Sequence, residues 1–187
     1  MRRPYAIAII AGTVFLSVLL FAPLTTVFAE LKIKSFATSL SGFEEVPSLF
    51  TSGVGKFKGK LNNDQTQLTY ELSYSSLEGN VTQAHIHFAQ RRLVGNIMVF
   101  LCTNLDHDPT GLSPSCPDTS DGKVEGTLAA ANVVAIPSQK FPANGFDMFL
   151  SALRAVAGYV NVHTNTFGSG EIGGQVAKSL LGLLFGQ

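Results

Sequence analysis

From Glu30 onward the chain is cut into short runs of alternating apolar and polar residues, each bounded by Gly, Pro, Asn or Ser. A period of two places successive side chains on opposite faces of an extended chain, so these runs read as strands. The candidates are Ile33–Leu40, Gly53–Leu61, Gln67–Ser75, Thr82–Phe88, Asn96–Cys102, Lys123–Leu128, Gly158–Thr164 and Gly170–Ala177. In the third of them Tyr70, Leu72 and Tyr74 alternate with Thr69, Glu71 and Ser73, and Asn62-Asn63-Asp64 supplies turn residues ahead of it, so residues 53–75 predict a hairpin. Eight short strands at this spacing predict an antiparallel sandwich or barrel. One segment breaks the pattern. Phe146, Phe149, Leu150 and Leu153 recur at helical spacing, with Asn144 as candidate N-cap and Asp147 in the first turn, so a short amphipathic helix is expected near 144–155.

The first thirty residues follow a different logic. Arg2 and Arg3 give a basic start, Tyr5 to Leu24 is almost uninterruptedly apolar, and Val27-Phe28-Ala29 ends in small residues before Glu30. This is the pattern of an N-terminal hydrophobic signal helix cleaved after Ala29, giving a signal peptide over 1–29, a domain over 30–178 and a short apolar tail over 179–187. An uncleaved segment of this length would also span a bilayer, which is the one membrane contact the chain offers. The expected location is secreted, cell-envelope or periplasmic.

Cleavage would remove two bases and no acid, leaving 11 bases against 13 acids. Such a balance gives no reason to expect a nucleic acid or an anionic lipid surface as partner; an unknown protein or cell-envelope partner is the remaining class. Cys102 and Cys116 are the whole cysteine supply. In an exported chain a disulfide between them is the default reading, with a cysteine metal pair as the alternative.

The chemistry-bearing residues are histidines. On the run Asn80–Phe88, Gln83, His85 and His87 share one face while Ala84, Ile86 and Phe88 share the other. On Tyr159–Thr164, Val160 and Val162 face the core and Tyr159, Asn161 and His163 face away from it. If the two strands are neighbours, His85, His87 and His163 meet on the outer, partly exposed side of the sandwich, where the Cys102–Cys116 loop could cover them and contribute His107. An all-imidazole set suits copper or zinc and suits calcium or magnesium poorly. The bland alternative is three surface histidines bonded to Gln83, Asn161 or backbone. Glu44, Glu45 and Glu171 lie near turns and read as solvated acids, and no hydrolytic, phosphate-binding or dinucleotide-binding arrangement is present.

Six stretches in order resemble the CHRD domain family, named after chordin: Ser39-Leu40-Ser41-Gly42-Phe43-Glu44-Glu45-Val46-Pro47, Leu68-Thr69-Tyr70-Glu71-Leu72, Ala84-His85-Ile86-His87, Ala152-Leu153-Arg154-Ala155, Tyr159-Val160-Asn161-Val162-His163-Thr164 and Gly170-Glu171-Ile172-Gly173-Gly174-Gln175. The resemblance runs from about residue 32 to 177. It implies one β-rich extracytoplasmic domain whose signature includes the histidines at His85, His87 and His163 and the acid at Glu171. The chain departs from the pattern at Ser48, where a second proline is common, and at Gly173, where the family often has Arg. A looser similarity is to copper/zinc superoxide dismutase, which also carries a His-x-His strand, a third histidine on a later strand and a disulfide-anchored loop over the site. That enzyme's bridging histidine and zinc cluster have no counterpart here.

The expectation is therefore an all-β chain, a single antiparallel Greek-key-like β-sandwich, immunoglobulin-like or copper/zinc superoxide dismutase-like. Its expected function is that of an exported, non-catalytic binding module with a three-histidine copper or zinc site, supported by Asn161 and Glu171. The alternatives are a metal-independent adhesion or protein-interaction module and a mononuclear copper redox enzyme, for which Arg91 and Arg92 would be the anion-steering charges.

Overall fold

The computed structural model describes residues 34–179. The expected signal segment and all but the first residue of the expected apolar tail lie outside them. Nine strands and one α-helix make up the described domain: β1 (Ser35–Ser41), β2 (Val54–Leu61), β3 (Leu68–Ser75), β4 (Val81–Phe88), β5 (Asn96–Thr103), β6 (Gly122–Leu128), α1 (Phe146–Arg154), β7 (Gly158–Thr164), β8 (Ile172–Gln175) and β9 (Ala177–Lys178). The strands lie within a residue or two of where alternation places them, with one difference. The last expected strand is broken at Val176, which is fully buried, into β8 and the two-residue β9.

Every pairing is antiparallel, in the order β5-β4-β7-β8-β1-β2-β3-β6, with β9 beside β1. After β3 the chain crosses to the far end of the sheet, forms the β4–β5 pair and returns as β6 beside β3, which is Greek-key connectivity. The end strands β5 and β6 touch, and the Tyr70 hydroxyl on β3 donates to the Leu101 carbonyl on β5. The expected sandwich is thus one sheet rolled nearly closed on itself.

Alternation explains the core. Phe57 and Leu61 on β2, Leu68 and Leu72 on β3, Ala84 and Ile86 on β4, and Val160 and Val162 on β7 all point inward and are buried, while Lys56, Lys58, Lys60 and Thr69 face solvent. Helix α1 adds Phe149, Leu150 and Leu153 to this core. Gly158 makes room for it, since a Cβ there would lie 2.7 Å from a Leu153 methyl. Asp147 occupies the first turn as expected, but Asn144 is not the cap. Gly145 is the N-cap residue, and Asn144 sits just before it in the left-handed region at φ 59°, a conformation asparagine tolerates better than most residues.

Cys102 and Cys116 form the expected disulfide, closing the loop that leaves β5. The bridge joins two buried residues, Cys102 in the sheet and Cys116 in the loop. The double variant Cys102→Ser/Cys116→Ser is expected to lose about 3 kcal/mol of unfolding free energy. The check is a lower urea midpoint than the oxidised wild type, with equal midpoints counting against a stabilising role.

Candidate metal centre

Strands β4 and β7 are neighbours, with Gln83 opposite His163, His85 opposite Asn161 and His87 opposite Tyr159. Antiparallel pairing puts side chains of facing residues on the same side of the sheet, so the imidazoles of both strands share one face. The condition on which the three-histidine reading depended is met. His85, His87 and His163 offer ring nitrogens that all lie within 4.8 Å of one another.

The expected exposure is not observed. His85, His87 and His163 are 1%, 9% and 8% exposed. Alternation places them on the non-core face correctly, but the connections between strands fold over that face and bury it. Glu44–Val46 after β1 and Arg91–Val94 after β4 wall a cavity of about 210 Å³ that His87 and His163 also line. On the other side of His87, His107 and Pro109 of the disulfide loop, with Ala135–Ser138, border a second cavity of about 510 Å³. The loop therefore helps to cover the site as anticipated. His107 itself stays exposed and outside the three-histidine group.

Hydrogen-bond partners fix two of the three tautomers. His87 Nδ1 lies 2.9 Å from the Gly95 carbonyl and His163 Nδ1 3.0 Å from the Gly168 carbonyl. A carbonyl only accepts, so both Nδ1 atoms carry the proton and both Nε2 atoms carry a lone pair. His85 Nδ1 lies 3.2 Å from His163 Nε2 and, without a cation between them, must donate to it. That leaves Nε2 of His85 and of His87 buried with no partner. A ring that donates one nitrogen to a backbone carbonyl and leaves the other bare, as His87 does, is arranged as a metal-ligating histidine is. Packing holds them in place: His85 stands edge-on to Phe100 at 4.5 Å, and His87 stacks on Tyr159 at 4.7 Å.

Burial also sets their charge. Loss of solvent, followed by the neighbouring imidazoles, pulls His85 down to about 2. Burial pulls His87 down to about 4, against a smaller opposing effect of the Gly95 carbonyl. His163 is lowered by burial as well. At neutral pH all three rings are uncharged, the form that ligates metals.

Two acids read as solvated are not. Glu171 is fully buried and accepts from the Thr51 hydroxyl at 2.8 Å, the Glu78 backbone N–H at 2.7 Å and the Thr164 hydroxyl at 2.8 Å. It ties three loop ends together and touches none of the histidine rings through these bonds. Its link to the site runs through Thr164, whose hydroxyl accepts from the Phe167 N–H and so shapes the loop that carries the Gly168 carbonyl. Glu45 lines the 210 Å³ cavity with His87 and His163, and the Asn161 amide donates to both of its oxygens at 2.8 and 2.9 Å. Its carboxylate rests where side chains are missing. A Cβ at Gly170, φ 125°, would lie 2.6 Å from one oxygen, and one at Gly173 would lie 2.7 Å from the other. Burial raises the Glu45 carboxyl to about 7, with the Asn161 hydrogen bond opposing. Sequence reasoning missed Glu45 because nothing in local periodicity distinguishes it; the small residues at 170 and 173 were the available signal.

Asn161, expected as a support, is 3% exposed and makes its hydrogen bonds to Glu45 rather than to a ring, with its carbonyl oxygen left unpartnered. Of the two arginines, Arg91 is engaged by Glu44 in a paired contact from Nε at 2.8 Å and Nη2 at 2.5 Å. Arg92 makes no ion pair among the described residues. Both lie along the cavity wall.

No curated protein matches the chain. The model of the family described as CHRD domain matches residues 36–176, a span that runs from β1 past β8 and holds all three clustered histidines, and the chain belongs to that family.

Proposed function

We propose that this chain is an exported, non-catalytic binding module that holds one copper or zinc ion through His85, His87 and His163. The observation that carries this reading is the donor arrangement: three buried, uncharged imidazoles within 4.8 Å, His87 and His163 locked by backbone carbonyls, and Nε2 of His85 and of His87 unpaired. The unpaired Nε2 of His87 costs about 1–3 kcal/mol, a cost that a coordinated ion removes. Copper and zinc are the ions such a nitrogen set prefers, and when bound either supplies a Lewis-acidic centre with a further coordination position. His85 ligates through Nδ1 only if its proton moves to Nε2. Export is supported by the basic and apolar leader that precedes Glu30 and by the disulfide.

The test is metal analysis of the purified mature protein. One equivalent of Cu(II) or Zn(II) is expected, and none for His163→Ala under the same conditions; retention of a full equivalent by the variant would defeat the assignment. A second reading, a metal-independent adhesion or protein-interaction module, is favoured by one observation. Phe43 and Phe50 are 68% and 87% exposed and meet edge to face at 6.2 Å, and Val46, Leu93 and Val94 beside the cavity are exposed too. Such apolar surface marks binding sites. Partner capture that survives a chelator and is lost in Phe50→Ser would support that reading over the first.

A further inference from the structure

A buried amide on the site wall has an acceptor with nothing to accept. Asn161 lies two residues before His163 on the same face of β7, opposite His85 on β4, and lines the 210 Å³ cavity with His87 and His163. Its orientation follows from Glu45. A carboxylate can only accept, so the Asn161 NH₂ faces the two Glu45 oxygens at 2.8 and 2.9 Å, and the carbonyl must turn the other way. That oxygen, on a side chain 3% exposed, has no donor. Protonation of Glu45 does not supply one while the amide holds this orientation, because the carbonyl is the end that points away.

Unpaired buried acceptors are rare in folded proteins and call for a specific partner. Three histidines leave a copper or zinc ion short of its usual four ligands, and the cavity is large enough for a small molecule beside His87 and His163. We infer that Asn161 is the hydrogen-bond acceptor for a small, proton-bearing ligand, water in the first instance, that completes the coordination of the ion held by His85, His87 and His163. Glu45 is the positioning residue that fixes the amide, and Gly170 and Gly173 provide the space that lets Glu45 do so. The inference rests on the metal reading above. Its consequence is selectivity: the site favours ligands that carry a proton over anions that only accept, since an acceptor-only ligand leaves the Asn161 oxygen unpaired.

Azide is such an anion. In the Cu(II)-loaded mature protein it adds at the metal and water leaves, with no change of oxidation state, and its charge-transfer absorbance reports the exchange at pH 7. The Asn161→Leu variant, with the same branched skeleton of four side-chain heavy atoms, removes the acceptor. At equal copper loading it is expected to bind azide roughly tenfold more tightly than the wild type, the scale of one buried hydrogen bond. Asn161→Asp keeps an acceptor while replacing the amide's donation to Glu45 by a second carboxyl, so its azide affinity is expected to be no tighter than that of the wild type. Equal azide affinity in the wild type and Asn161→Leu, or equal tightening in both variants, would overturn the assignment. Tightening in both would indicate a structural role through Glu45 alone. Absence of copper uptake by the wild type would defeat the metal reading itself, and this inference with it.

Discussion

Protein carrying His85→Leu is expected to lose copper or zinc affinity by a hundred- to a thousand-fold while its metal-free form unfolds no more readily than the wild type. The two halves of this expectation have separate causes. A four-ligand zinc site is worth about 10–16 kcal/mol, so one ligand carries roughly 3 kcal/mol or more. On the stability side, His85 is almost fully buried and donates to His163 Nε2 at 3.2 Å, so its loss leaves that buried nitrogen unpaired at a cost of about 1–3 kcal/mol. Against that stands its own Nε2, buried without a partner, which costs about 1–3 kcal/mol. Leucine is close to histidine in volume and would pack on Phe100, which already abuts the ring at 4.5 Å. A histidine kept for structure should be expensive to replace by an apolar residue, whereas one kept for a ligand should not. Competition against a chromophoric chelator reads the first effect, and urea midpoints of metal-free protein read the second. A large stability loss with unchanged metal affinity would return His85 to a structural role.

Much of this site was legible in the sequence because it depends on strand periodicity. Alternation alone assigned His85, His87 and His163 to the non-core face, and the resemblance of six ordered motifs pointed to the family that the comparison with family models identifies. The β4–β7 pairing joins residues 78 positions apart in the case of His85 and His163, and was legible only as a condition. Burial of that face was not legible at all. It comes from loops, whose conformation is set by contacts such as the Glu44–Arg91 pair and the Asp108 carboxylate. The latter accepts from the backbone N–H groups of Thr110, Leu112 and Ser113 inside the disulfide loop. Period-two patterns carry no information about such contacts. The same limit explains Glu45 and Glu171. Each is an acid next to a turn, which ordinarily means solvent, and each is enclosed because distant residues supply donors: Asn161 for one, Thr51, Glu78 and Thr164 for the other.

Stability of the metal-free protein is expected to fall as pH drops below about 6.5, and more steeply below about 4.5 than above it. In the unfolded chain histidine titrates near 6.5. In the folded chain burial holds His87 at about 4 and His85 at about 2. Between these values the unfolded state binds protons that the native state refuses, so stability rises with pH and is lost on acidification, by about 1.4 kcal/mol per pH unit for each ring. His163, also lowered, acts in the same direction. Glu45 acts in the opposite one. Its folded carboxyl titrates near 7 against an ordinary 4.5, so between those values the native state takes up a proton that the unfolded state does not, and stability gains as pH falls. Down to pH 4.5 Glu45 therefore offsets about one ring, leaving His85 or His87 together with His163 as the net loss. Below 4.5 that offset ends while His85 and His87 both continue, and below about 4 only His85 still contributes fully among the two. Urea midpoints at pH 7, 5.5, 4.5 and 4 would trace this curve, and Glu45→Gln should steepen its upper part by about one ring's worth. His85→Leu should flatten the whole of it by the same amount. A profile level from pH 7 to 4 would mean that the three imidazoles reach solvent, contradicting the enclosure on which the proposed metal site depends.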